Sequence, residues 1–468
     1  MKRRGAKRAG RTRQARRKEV FHPFRQERGK AGATSSAPQP ALSEPKAPVH
    51  LVHIEKPIYG GAFLARVKGK AMFVPLALPG EQARVRVVEE KRGYATAEVE
   101  AIVSEAPERV APTCRHFGAC GGCQYQHAEY AAQLEFKKAI LHETLERGGV
   151  RAPQEIDVLA GEPWAYRNRI RVAFDAQGNP GYRGRRSHAV IPIAECPIAA
   201  PALVKAAQIA ADLFRRFAVV SRPAELLLFC NAAEDSMLAS VFTAGAPRVP
   251  LADYFEAIMP LIPSLRGVEL VEIKQGGMQR TAARAGDDSI AYRAAGFDYR
   301  VDHGAFFQVN RWLIDALVER VMNGQSGRLA LDLFAGVGLF ARQLAKSFAR
   351  VVAVEPAPAA MDALAQNLHG TGATAVRATT LEYLRGARSG ERPDLILVDP
   401  PRTGLGAETT ALLKEIAAPA LTYVSCDPAT LARDLGALVG TGYAIENVLL
   451  ADLFPQTFHL ETVVRLRR

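Results

Sequence analysis

A thiol, a set of carboxylates and a second group of thiols are the residues whose types and spacing could do chemistry in this chain. Cys426 stands in YVSCDPATLARDL, where a run fit for a buried strand ends and Asp427-Pro428 opens a helical pattern. A thiolate there can bond covalently to a substrate, and a helix start would favour its charged form. Asp399 ends another apolar run in DLILVDPPRTGL, and the two prolines after it can continue neither strand nor helix, so the carboxylate sits on a rigid lip. Glu461 precedes the final run TVVRLRR and can serve as a general base, as can His459 two residues earlier. In LALDLFAGVGLF, Asp332 ends a strand pattern and Gly336 and Gly338 shape the turn after it. Glu355 ends the next strand pattern, VVAVE, where a carboxylate can accept both hydroxyls of a ribose. Ala341 stands where a dinucleotide fold would want a third glycine, so nothing supports NAD. Elsewhere Cys114, Cys120 and Cys123 follow C-x5-C-x2-C spacing, and Cys196 comes later in AECPIA. Four thiolates suit a tetrahedral zinc ion or a cubane iron-sulfur cluster, and spacing alone does not choose. Cys230, in LLLFC, reads as buried core.

The elements that must position these groups differ along the chain. From about residue 303, strand patterns such as RLALDLF, VVAVE, DLILVD and LTYVSC mostly alternate with helical ones, which predicts a parallel sheet covered on both faces. Its carboxyl rim would gather Asp332, Glu355, Asp399 and Cys426. A last strand running antiparallel would begin on that rim and bring Glu461 to it. Residues 47–105 show short alternating runs broken by Gly60-Gly61, Pro79-Gly80 and Gly93, the pattern of a small antiparallel barrel. Residues 106–302 are of mixed α+β character, and periodicity alone does not give their fold.

Of the net charge of +13, the first 50 residues carry 14 Lys or Arg against Glu19, Glu27 and Glu44. Residues 1–46 therefore read as a disordered basic arm and linker attracted to polyanions. No apolar run is long enough to span a membrane and no apolar stretch follows the basic N-terminus, so a cytoplasmic protein is expected. Thiols there seldom form structural disulfides. The chain is expected to act as a monomer.

Asp-x-Phe-x-Gly-x-Gly followed by Glu355 resembles the S-adenosylmethionine site of class I methyltransferases. The barrel region, through LPGE at Leu78–Glu81 and ARVRVV, resembles a TRAM domain, an OB-like RNA-binding module. Taken together, SCDPATLARD, DPPR, DLFAGVG and HLETV make the chain similar to the RNA uridine-5 methyltransferases, in the TRAM-containing branch that modifies 23S ribosomal RNA.

That resemblance implies Cys426 as nucleophile, Glu461 as base, Gln308, Phe334, Gly336, Gly338, Glu355 and Asp399 around the cofactor, and a [4Fe-4S] cluster on Cys114, Cys120, Cys123 and Cys196. The thiol has a definite use in such chemistry. C5 of uracil is too poor a nucleophile to take a methyl group, whereas addition of a thiolate at C6 makes C5 an enolate carbon that can. The partner implied is RNA, ribosomal before transfer RNA. Rival readings are an exocyclic-amine RNA methyltransferase and a non-catalytic RNA-binding module. Asp427, Leu339 and Thr380 depart from the family pattern, and Tyr166 to Arg169 resemble a segment that could grip RNA.

Overall fold

The computed structural model describes residues 48–217, 223–243, 250–387 and 390–468. The basic arm expected over residues 1–46 lies outside the described residues. Strands Val49–Ile58, Ala62–Val67, Lys70–Pro75, Gln82–Glu90 and Tyr94–Ser104 close into a five-stranded barrel. Alternation turns Val52, Ile54, Phe63, Ala65, Val74 and Val85 inward to form its core. The turn containing Leu78–Glu81 is fixed from within. Glu81 is fully buried, receives N–H bonds from both Nε and Nη2 of Arg109, and accepts the amides of Leu78 at 2.7 Å and Ala106 at 3.3 Å. Arg84 and Arg86 face Glu100 at 3.5 and 3.3 Å, so this strand is less basic than its sequence suggests.

The middle region is a seven-stranded sheet in the order Gln279–Gly286, Leu265–Ile273, Met237–Thr243, Pro223–Cys230, Arg169–Phe174, Pro180–Arg183, Val190–Pro192. Helices Pro201–Phe217 and Leu251–Ile258 pack on it, and Cys230 is buried in the shared core as expected. The Tyr166–Arg169 segment makes most of its contacts inside the chain. Tyr166 and Asn168 are buried, Arg169 lies over the Phe229 ring at 4.5 Å and donates from Nη2 to the Ala305 carbonyl, and Arg167 and Arg169 each keep an unpaired Nε.

The C-terminal sheet contains β1 (Gly327–Leu333), β2 (Phe348–Val354), β3 (Ala373–Val376), β4 (Leu395–Val398), β5 (Ala420–Ser425), β6 (Ala444–Ala451) and β7 (Glu461–Arg467). Their spatial order is β3-β2-β1-β4-β5-β7-β6, and the short upstream strand Asp157–Leu159 pairs parallel to β6 at the edge. Strands β1 to β5 run parallel, while β7 lies antiparallel between β5 and β6. Every residue of β4 and β5 is buried, as befits strands covered on both faces. Leu331, Leu333, Ile396 and Val398 pack with Leu431 and Leu435 of helix Pro428–Val439, while Leu397, Val424 and Val463 belong to a separate core cluster. The order reverses between β1 and β4, and the crevice at such a reversal, beyond the strands' carboxyl ends, is where open α/β sheets bind ligands.

Candidate active site

The register fixes which residues meet at that crevice. Asp332 pairs with Ala353 of β2 and Leu397 of β4 near the carboxyl end of β1, and Glu355 and Asp399 directly follow β2 and β4. Ser425 faces Thr462 across the β5–β7 pair, so Cys426 and Glu461 share the same rim, as the antiparallel last strand was expected to bring about. The charges of Glu461, Asp399, Arg402 and Asp427 all act on the Cys426 thiol. Its side chain is partly exposed, open to a substrate from the rim.

Burial, with Glu461 and Asp399 next, pushes the Cys426 thiol up to about 12. This corrects the expectation of a site that favours the thiolate. The N-terminal amides of helix Pro428–Val439 are taken by the Asp427 carboxylate, which caps Ala429 at 3.0 Å and Thr430 at 2.9 Å. An acidic cap spends the helix's positive end on itself and adds a charge that opposes the thiolate. Arg402 is the neighbour that pulls the thiol the other way.

Glu461 is 5% exposed, and burial, then Asp399, holds its carboxyl well above the usual range. His459 goes in the opposite direction. Burial and the cations Arg402, Arg167 and Lys137 push it down to about 3, so its imidazole is neutral and Nδ1 meets Arg402 Nη2 at 3.2 Å. A ring so poor at taking protons is a weaker base candidate than Glu461, and it orients Arg402 instead.

The Gly turn has two distinct glycine roles. Gly336, at φ 54°, has nothing within 4 Å of where a Cβ would stand, so the space above it is open to a ligand, whereas at Gly338, φ 90°, a Cβ would meet Leu364 at 2.8 Å. Between them and β1, Phe334 is held at φ 75° with its amide on the Val354 carbonyl, a strained conformation for a residue with a side chain. Glu355 ties this turn to β2, accepting the amides of Gly336 at 2.9 Å and Ala357 at 2.8 Å on different oxygens. Each oxygen keeps a lone pair for a ribose hydroxyl.

Asp332 is the anomaly in this set. It is fully buried, neither of its oxygens completes a hydrogen bond, and burial, then Asp399 and Glu355, pushes it up to about 8, with the nearby Ala341 amide the one group opposing. Desolvation also raises Asp399, to about 7. An unsatisfied carboxylate crowded by two others fits a cationic ligand, and S-adenosylmethionine carries both a sulfonium and an ammonium. Gln308 is buried, with its carbonyl receiving Asn168 Nδ2 at 2.9 Å. Thr380 is 5% exposed with an unpartnered hydroxyl, available to a ligand despite its departure from the family pattern. Leu339 is buried and its carbonyl accepts the Tyr299 hydroxyl at 3.1 Å.

Two groups had no assigned place in the sequence reading. Arg402 was legible only as part of DPPR. Tyr59, just beyond the first barrel strand, packs edge-on against Phe458 with ring centroids 5.4 Å apart and lies in the field of Asp427, Arg402, Cys426 and Glu461. Nothing in its own sequence context could announce a barrel residue at the thiol, because topology alone brings it there.

Cys114, Cys120, Cys123 and Cys196 are neighbours. Charge on Cys196 and Cys114 acts on Cys120, and charge on Cys196 and Cys120 acts on Cys123. Burial pushes Cys123 up to about 12 and raises Cys120 and Cys196. Gly122 N–H lies 3.4 Å from Cys120 Sγ, and Tyr182 and the amides of Ala199 and Ile198 act on Cys196. Among the described residues, no three His, Cys, Asp or Glu are spaced to hold a single metal ion. The donor set still fits a cluster of four thiolates with N–H···S support, and loading it would have to expel the thiol protons.

A rim of this kind on this sheet defines a methyltransferase that uses S-adenosylmethionine. The family described as tRNA (Uracil-5-)-methyltransferase matches residues 287–468, and the TRAM domain matches residues 49–99. The 23S rRNA (uracil(1939)-C(5))-methyltransferase RlmD of Chromohalobacter salexigens is 33% identical, over 95% of this chain and 92% of its own. An uncharacterized RNA methyltransferase of Streptomyces avermitilis is 36% identical, over 89% of this chain and 97% of its own. The chain belongs to the RNA uracil-5 methyltransferase family, in a form that carries a TRAM domain. The Pyrococcus abyssi tRNA (uracil-54, C5)-methyltransferase in complex with S-adenosyl-L-homocysteine superposes with a TM-score of 0.72 at 24% identity, covering 89% of this chain and 100% of that one, which shows a common fold. No helix among the described residues is long and apolar enough to cross a membrane.

Proposed function

We propose that this enzyme methylates C5 of a uridine in 23S ribosomal RNA, with Cys426 as nucleophile and Glu461 as base. The observation that carries the reading is the convergence of a partly exposed thiol and a buried carboxylate on one rim beside the open Gly turn. S-adenosylmethionine supplies the methyl group from its sulfonium when bound. Asp332, Phe334, Gly336, Gly338, Glu355, Asp399 and Gln308 surround that cofactor. Cys426 gives its proton to solvent at the open rim as the substrate enters, with Arg402 stabilising the thiolate, and its sulfur bonds to C6. The electron pair of the C5=C6 bond moves into an enolate and C5 takes the methyl group. Glu461, ionised for this step, removes the C5 proton, the double bond re-forms and the C6–S bond breaks. Uridine must leave its stack for this, because C6 is approached from the ring face.

The ribosomal substrate is supported by the TRAM barrel and by relatives named for 23S ribosomal RNA; the family description names transfer RNA instead. Cys114, Cys120, Cys123 and Cys196 would hold a [4Fe-4S] cluster, a reading supported by the nearness of these thiols to one another. The chain is further read as a basic arm (1–46), a barrel (47–105), a central region (106–302) and a catalytic region (303–468), acting as a monomer.

The test is RNA containing 5-fluorouridine, whose C5 fluorine cannot leave as a proton. Denaturing gels should show a covalent enzyme–RNA band that Cys426→Ala abolishes, and turnover on normal RNA should fall by about 10⁴-fold or more. No band, together with an active Cys426→Ala enzyme, refutes the mechanism. Running ribosomal and transfer RNA transcripts side by side decides the substrate.

A further inference from the structure

The segment that delivers Glu461, Asp452 to Leu460, is held mostly by residues far upstream. Lys137, itself fully buried, donates to Asp452 Oδ1 at 2.6 Å and to the Phe454 carbonyl at 3.0 Å, and the Tyr166 hydroxyl donates to the Pro455 carbonyl at 3.0 Å. The tightest cluster of contacts falls on Gln456. This residue is 3% exposed and sits at φ 68°, a left-handed conformation that a side chain disfavours. Its carbonyl accepts the amides of both Gln124 and Tyr125 at 3.0 Å. Its amide donates to Gln133 Oε1 at 3.0 Å, and Gln133 Nε2 donates back to its side-chain oxygen at 3.0 Å. Two residues on, the Phe458 amide donates to Gln124 Oε1 at 3.3 Å, while Gln124 Nε2 donates to the Gly121 carbonyl at 2.9 Å. Gln124 directly follows Cys123, and Arg167 bears electrostatically on Cys123, Cys196 and His459 alike.

We propose that Gln124 and Gln133 are positioning residues that couple the cysteine loop to the base: the loop fixes the Gln456–Phe458 turn, and that turn sets where Glu461 stands. The inference rests on Glu461 being the base. Its consequence is confined to one step. Addition of Cys426 and methyl transfer need the thiol, the cofactor and the flipped base, whereas the hydrogen bonds of Gln124 go to Gly121, Gln456 and Phe458. Removal of the C5 proton needs the Glu461 carboxylate at the correct face of the ring, and an error of about 1 Å there costs on the order of 100-fold. A loosened turn therefore stalls the enzyme after methylation, with sulfur still bound to C6.

Two readouts on unmodified ribosomal and transfer RNA transcripts separate the steps. Label from methyl-labelled S-adenosylmethionine in a denaturation-resistant enzyme–RNA band reports the stalled adduct, and tritium freed from 5-tritiated uridine reports proton removal. Gln124→Ala and Gln133→Ala should accumulate the labelled band and release tritium roughly 10- to 100-fold more slowly, with single-turnover methyl transfer little changed. Gln124→Glu, which keeps an acceptor for the Phe458 amide, should restore release. Variants in which methyl transfer and tritium release fall together, or in which neither changes, overturn the proposal. Glu461→Gln runs alongside. If it turns over normally the base assignment fails and this inference falls with it, whereas if it stalls while Gln124→Ala does not, only the coupling is wrong.

Discussion

Two buried carboxylates, Glu81 in the barrel and Asp332 at the end of β1, are both fully excluded from water and have opposite surroundings. Glu81 is answered by the Arg109 guanidinium and by two backbone amides. Asp332 completes no hydrogen bond and faces two more carboxylates. A buried charge that the fold satisfies belongs to the architecture. One left unsatisfied in a crevice costs stability and is retained for what binds there. The LPGE signature and the DLFAGVG signature are thus different in kind, although both read as motifs.

Substitution should separate the two most sharply. Glu81→Gln leaves the Arg109 charge without its partner and should destabilise the protein by about 3 kcal/mol, with cofactor affinity in the folded fraction unchanged. Asp332→Asn should do the reverse, raising the melting temperature of the cofactor-free enzyme at pH 8 while cofactor binding, followed by calorimetry, is largely lost. A destabilised Asp332→Asn protein that still binds cofactor would erase the distinction.

The same contrast predicts a pH dependence. Asp332 moves from 3.8 up to about 8 on folding, so between those values the native state holds a proton that the unfolded chain has released. Stability of the cofactor-free enzyme should therefore fall as pH rises through this window, by on the order of a few kcal/mol at most. Saturating S-adenosylmethionine should reduce the slope by giving the ionised carboxylate a cation, and Asp332→Asn should reduce it without ligand, the remainder coming from Asp399 and Glu461, which burial also raises. Denaturant titrations at pH 5 and pH 8 check both.

Much of the rim was legible because each strand ends in a chemically distinctive residue. The alternation of strands and helices placed Asp332, Glu355, Asp399 and Cys426 together, and the short link before the last strand placed Glu461 with them. The central sheet was not legible, since its order joins Leu265–Ile273 to Met237–Thr243 in parallel and to Gln279–Gly286 antiparallel, and local periodicity carries no record of such pairings. Tyr59 and the Gln124–Gln456 contacts were hidden for the same reason, being bonds between segments far apart in the chain. The acidity of Cys426 was misread because a helix start in sequence reveals the amides but not who takes them. Here the residue after the thiol takes them itself.

That last point gives the smallest effect and the finest test of the comparison, since it asks whether a satisfied carboxylate can still act on the chemistry. Asp427 is occupied with Ala429 and Thr430, yet its charge opposes the Cys426 thiolate, and Arg402 favours it. Asp427→Asn retains a side-chain oxygen for the cap and removes the charge, so helix stability should change little. The pH midpoint for alkylation of Cys426 by iodoacetamide should then move down, and in Arg402→Gln it should move up. Asp427 is the weaker of the influences on the thiol and Arg402 pulls harder. The downward shift should accordingly be the smaller. Equal midpoints in all three proteins would mean that burial alone sets the thiol, and that an acid already satisfied by the fold has no further hold on the reaction.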